Sequence, residues 1–129
     1  MGDRMLKTGG GTMVTLSSVL ALRPGPVLGY GAGKAGIINL TQSLAVQWSK
    51  KNIRINAICP GFIQGDWLKN GLGEETYEFV KKSTEESVPL NLTCTAEQVA
   101  ETICYFIESG STITGETLLL DGGMHLGNY

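Results

Sequence analysis

Three short runs of β-branched and aliphatic residues most constrain what this chain can become. They are TMVTLSS (12–18), IRINAICPG (53–61) and TGETLLLDGG (114–123). The segments between them are too long for hairpin turns, and each carries a helical pattern. Strands joined that way pair in parallel through crossovers, for which the right-handed form is the strong default. From Leu28 to Lys51, Ile37, Leu40, Leu44 and Trp48 recur at helical spacing, with Ile38 and Ala45 widening the stripe. A second helix opens at TAEQ, where Thr95 and Gln98 have the spacing of a capping box. Its stripe is Val99, Ile103, Phe106 and Ile107. Within 53–61, Ile53, Ile55, Ala57 and Cys59 alternate with Arg54, Asn56 and Ile58. Glycine or proline clusters at 9–11, 23–26 and 60–61 punctuate the pattern. Residues 62–92 are the least regular, with an exposed helix expected over Glu74–Glu86. The expectation is an α/β fold: a partial, Rossmann-like, doubly wound parallel sheet of about three strands with flanking helices.

Composition removes several classes of function. The 129 residues are one domain's worth and read as a single unit, 1–129; 42% are hydrophobic and 17% charged, as in a globular protein. A net charge of −2 gives no basis for binding nucleic acid or an acidic membrane. The longest uncharged helical stretch, Ala35–Ser49, is too short and polar to span a bilayer. Three cysteines, Cys59, Cys94 and Cys104, without a CxxC spacing match neither a disulfide framework nor a zinc site. With no apolar leader, the expected location is cytoplasmic.

In open parallel sheets, ligands bind beyond the carboxyl ends of the strands. Those ends are Ser17-Ser18, Pro60-Gly61 and Asp121-Gly122-Gly123. Just after the first lies YGAGK, which sets Tyr30 and Lys34 four residues apart on one helix face. A free tyrosine ionises near pH ~10, and a neighbouring ammonium favours the phenolate. Such a pair can exchange a proton with a substrate oxygen, and a serine hydroxyl aimed at the same oxygen would orient it.

TMVTLSS, YGAGK, IRINAICPGFI and TGETLLLDGG, in that order, resemble the C-terminal half of the short-chain dehydrogenase/reductases, over Gly9–Gly123. The resemblance implies hydride transfer between NAD or NADP and a small-molecule alcohol or carbonyl. It implies that Tyr30 is the general acid/base and, with Lys34, contacts the cofactor, and that Lys34 supports Tyr30 while binding the nicotinamide ribose. The catalytic serine is Ser18 or Ser17. The family spacing of thirteen fits Ser17, but strand register favours Ser18, twelve residues before Tyr30. By the same resemblance Pro60, Gly61 and Ile63 border the nicotinamide, and Trp67 and Leu68 line the substrate site. The helix 30–51 would pack on its copy in a homo-oligomer. Asn56 reads as a structural tie and His125 as a tail residue.

The departures matter too. Gly65 stands where the family pattern has a threonine that helps grip the cofactor. The glycine-rich turn that cradles the pyrophosphate, the residue that selects NAD or NADP, and the tetrad asparagine have no counterpart in the chain. The expectation is therefore a truncated form, or a subunit whose partner covers the first strand's open edge. An inactive interaction module is the alternative to an oxidoreductase.

Overall fold

The computed structural model describes residues 2–127. A short helix α1 (Gly2–Lys7) precedes strand β1 (Gly11–Leu16), and helix α2 (Leu28–Trp48) leads to β2 (Ile53–Pro60). Helices α3 (Asp66–Leu72), α4 (Glu74–Ser87) and α5 (Ala96–Glu108) follow, then β3 (Thr117–Leu120). The sheet is parallel throughout, in the order β1-β2-β3, with Gly11 opposite Ile53 and Ala57 opposite Thr117. All three strands therefore point their carboxyl ends to one edge. β1 has no partner on its outer side among the described residues.

β2 is central, which explains its composition. Ile53, Ile55, Ala57, Ile58 and Cys59 are all fully buried, and so is Asn56. The polar face expected from the alternation is covered as well, because helices lie on both sides of the sheet. On one face Ile53 and Ile55 pack with Ala45, Leu44 and Trp48 of α2 and Met5 of α1. On the other, Ile58 packs with Val99, Ile103 and Phe106 of α5. Asn56 is the structural tie expected of it. It donates to the Ile113 carbonyl at 3.0 Å and accepts from the Glu116 amide at 3.0 Å.

This arrangement corrects one expectation. Both crossovers step the same way across the sheet, yet α2 and α5 lie on opposite faces, so the two have opposite hands. Right-handedness follows from strand twist feeding directly into a helix that folds back. The second connection, with its α3–α4 excursion before α5, is free of that constraint.

Two helix stripes also need adjustment. The sheet-facing side of α2 centres on Thr41 and Ala45, both buried, which leaves Leu40 54% exposed. Thr41 is tolerated inside because its hydroxyl bonds Thr15 Oγ1 at 2.7 Å and the Ile37 carbonyl at 2.8 Å. In α5 the buried pair is Val99 and Phe106, while Ile107 faces outward. The capping box at its start forms as expected: the Gln98 amide donates to Thr95 Oγ1, and the Thr95 amide to Gln98 Oε1.

Candidate active site

The strand ends bring most of the sequence-predicted residues to one edge of the sheet. Ser17 and Ser18 follow β1 directly, and both are buried. They face different tasks. Ser17 Oγ donates to the Lys34 carbonyl at 2.8 Å, locking the end of β1 to α2. Ser18 is the N-cap of a 3-10 turn at Val19–Ala21, its Oγ accepting from the Leu20 amide at 3.2 Å. Accepting that bond leaves the Ser18 hydroxyl proton free to be donated elsewhere.

Tyr30 sits in the first turn of α2 and is 43% exposed. Lys34 follows one turn later. Its Nζ donates to the Leu16 carbonyl at 2.9 Å and stands 5.5 Å from the centre of the Tyr30 ring. The cation is therefore held between the end of β1 and the tyrosine by a backbone acceptor. Ser17 and Lys34 tie each other's segments in both directions, side chain to backbone.

Beneath these groups lies Cys59, fully buried near the end of β2. Burial pushes its thiol up, against smaller downward pulls from the Ser17 hydroxyl, the Ser18 backbone and the Lys34 charge. Burial raises Cys94 in the same way. Both remain neutral packing groups rather than nucleophiles.

Pro60 ends β2, paired with Leu120, and the Gly61 amide donates to the Leu120 carbonyl at 2.9 Å. Ile63 forms a parallel bridge with Cys94. The bridge uses the Phe62 carbonyl and the Gln64 amide, at 2.9 and 2.8 Å. Backbone groups alternate sides along an extended segment, so the N–H and C=O of Ile63 point the other way. A planar carboxamide, with one donor and one acceptor, matches such a pair. Ile63 thus turns one backbone donor and one backbone acceptor to the side away from Cys94.

Trp67 and Leu68 lie on α3, which packs chiefly on α4. Trp67 is 84% exposed and Leu68 is half-buried. Gly65 precedes α3 and gives that helix no side-chain cap.

His125 is more than a tail residue. Its Nδ1 lies 2.9 Å from Oδ2 of buried Asp121, and the Gly123 and His125 amides also donate to that carboxylate. Gly122 and Gly123 adopt φ of +62° and +92°, which lets the chain turn back onto the carboxylate. Arg23 then ties this C-terminal turn to the loop after Ser18 through the Met124 carbonyl, at 2.8 Å. The Asp-x-x-x-His spacing was the available signal. Among the described residues no cluster of His, Cys, Asp or Glu could hold a metal, and no helix is long and apolar enough to cross a membrane.

A family model described as enoyl-(acyl carrier protein) reductase matches residues 2–125. The chain belongs to the short-chain dehydrogenase/reductase family of NAD(P)-dependent oxidoreductases. Among curated relatives it is similar to 7alpha-hydroxysteroid dehydrogenase of Paraclostridium sordellii, 37% identical over 95% of this chain and 46% of that protein. It is also similar to 3-oxoacyl-[acyl-carrier-protein] reductase FabG of Chlamydia muridarum, 38% identical over 93% of this chain and 47% of that protein. Among solved structures, ElxO with NADP bound superimposes with a TM-score of 0.83 at 33% identity, covering 96% of this chain and 50% of that one. The chain thus spans about half the length of the curated relatives it matches.

Proposed function

We propose that this chain carries the proton-transfer half of an NAD(P)-dependent oxidoreductase acting on a small alcohol or carbonyl compound. The observation that supports it most is the fixed placement of Lys34 between the end of β1 and the Tyr30 ring, beside the buried Ser17-Ser18 pair. Bound NAD or NADP supplies or accepts the hydride. Tyr30 donates the proton to the carbonyl oxygen in reduction and takes it back in oxidation. The Lys34 ammonium stabilises negative charge on the phenol oxygen as the proton leaves. Ser18 donates its hydroxyl proton to the same substrate oxygen, while Ser17 serves as the strand–helix tie. Lys34 and the backbone of Pro60, Gly61 and Ile63 hold the ribose and nicotinamide. Trp67 and Leu68 on α3 contribute to substrate binding. Titrating this chain into NADH and NADPH while following nicotinamide fluorescence tests how much of the cofactor site it carries: enhancement by the 129 residues alone would overturn the expectation that the site is incomplete in them.

Gly65 offers a graded test of the same site. A side chain there meets open space, with nothing within 4 Å of the added carbon. Gly65→Thr should cap α3 and supply the missing cofactor hydrogen bond. Since a net hydrogen bond is worth about 0.5–1.5 kcal/mol, the cofactor Kd should fall by roughly 2- to 10-fold. An unchanged Kd would place residue 65 away from the cofactor.

One observation favours a second role, as an interaction module. Leu28, Leu40 and Val46 of α2 are 90%, 54% and 80% exposed. A homo-oligomer joined through helix 30–51 would cover such a surface. Val46→Lys combined with Leu40→Lys should then yield a smaller species in sedimentation velocity. An identical distribution for the wild type and the double variant would count against that interface.

A further inference from the structure

We infer that Gly31 is a positioning residue that sets the placement of Ser18 relative to Tyr30, acting through the peptide groups of Leu20. The inference rests on the proton-transfer reading above. Gly31 follows Tyr30 directly on α2. A methyl group on it would lie 2.7 Å from the Leu20 carbonyl oxygen and 3.7 Å from the carbonyl carbon. Both are backbone atoms, which cannot swing aside as a side chain can. The amide of the same residue, Leu20, donates to Ser18 Oγ at 3.2 Å. Leu20 thus touches the serine hydroxyl through its N–H and the tyrosine-bearing helix through its C=O.

The contact is particular to this position. Side chains added at Gly29, Gly33 or Gly36 of the same helix would meet nothing within 4 Å. At those positions glycine only weakens the helix, whereas at Gly31 it permits the turn Val19–Ala21 to lie against α2. The hydrogen bonds that join the end of β1 to α2 are independent of it. They run from Ser17 Oγ to the Lys34 carbonyl, from Lys34 Nζ to the Leu16 carbonyl and between the Thr15 and Thr41 hydroxyls. Pushing the turn outward moves Ser18 Oγ while leaving Lys34 and its cofactor contacts in place.

The test uses natively expressed protein and three variants: Gly31→Ala, Gly33→Ala and Ser18→Ala. Gly31→Ala should lower kcat by roughly 10- to 100-fold, the scale of a displacement near 1 Å, with the cofactor KM nearly unchanged. Gly33→Ala should leave both as they are. If Gly31 acts through Ser18, adding Gly31→Ala to Ser18→Ala should cost little further turnover, a non-additivity that a purely packing role would not produce. Hydrogen exchange at the Leu20 amide provides a readout independent of activity. It should speed up in Gly31→Ala and in Ser18→Ala, but not in Gly33→Ala. Unchanged Leu20 exchange in Ser18→Ala overturns the link, whether or not Gly31→Ala folds. Additive losses, or wild-type turnover in a folded Gly31→Ala protein, overturn the positioning role. A wild type inactive with every alcohol and carbonyl tried would instead refute the oxidoreductase reading, while Leu20 exchange still decides the contact.

Discussion

On the proposed reading, Tyr30→Phe in the intact oxidoreductase should reduce turnover by about 10²- to 10⁴-fold, the range a positioned acid/base group supplies. The substitution removes one oxygen from a side chain that is already 43% exposed, so the fold should be unaffected. Nicotinamide fluorescence titration should give nearly the wild-type Kd, because Lys34 is anchored by the Leu16 carbonyl and not by the tyrosine. The pairing of lost turnover with retained binding is the informative result. A variant with more than a tenth of wild-type kcat would exclude Tyr30 as the proton donor. One that also loses cofactor would assign the hydroxyl a binding role.

The second large effect is on stability. Arg54 leaves β2 on the α5 side and donates to four acceptors at once. Nη2 bonds the Phe106 carbonyl and Thr12 Oγ1, each at 2.8 Å; Nη1 bonds the Ile113 carbonyl at 3.2 Å and the Gly110 carbonyl. Phe106 is in the last turn of α5, where carbonyls lack intrahelical partners and a cation is favoured. One guanidinium therefore closes α5, holds the loop to β3 and reaches across to β1. Arg54→Ala strands those part-buried carbonyls together, and should cost about 3 kcal/mol. Denaturant unfolding should show a lower midpoint with an unchanged slope. Arg54→Lys should recover only part, since a single ammonium cannot span the same fork of acceptors. A loss below about 0.5 kcal/mol for Arg54→Ala would mean water replaces the guanidinium without penalty.

Much of the fold was legible because local patterns and tertiary demands agree. The three apolar runs, the capping box at Thr95 and the long helix from Leu28 depend on spacing and propensity, which the sequence carries directly. The candidate site was legible for a related reason. Parallel strands deliver their carboxyl ends to one edge, and Tyr30 and Lys34 are neighbours by helical geometry alone. Membership of the oxidoreductase family, first evident as ordered motifs, rests on the match over residues 2–125.

What remained hidden involves residues distant in the chain or contacts made by backbone. Periodicity finds the apolar face of α2 but cannot say which of its residues meet the sheet, so Leu40 is exposed and Thr41 is buried. No local rule gives the hand of a crossover that carries two extra helices. The different bonds of Ser17 and Ser18 depend on where α2 lies above the strand end. The Asp121–His125 pair forms because two glycines turn the chain back upon a buried carboxylate. By itself the sequence determined the elements, the parallel sheet and the residue types gathered at its edge, since spacing sets those. Which backbone group each of the two serine hydroxyls bonds was decided only by tertiary packing, because hydrogen-bond partners are chosen by proximity in space.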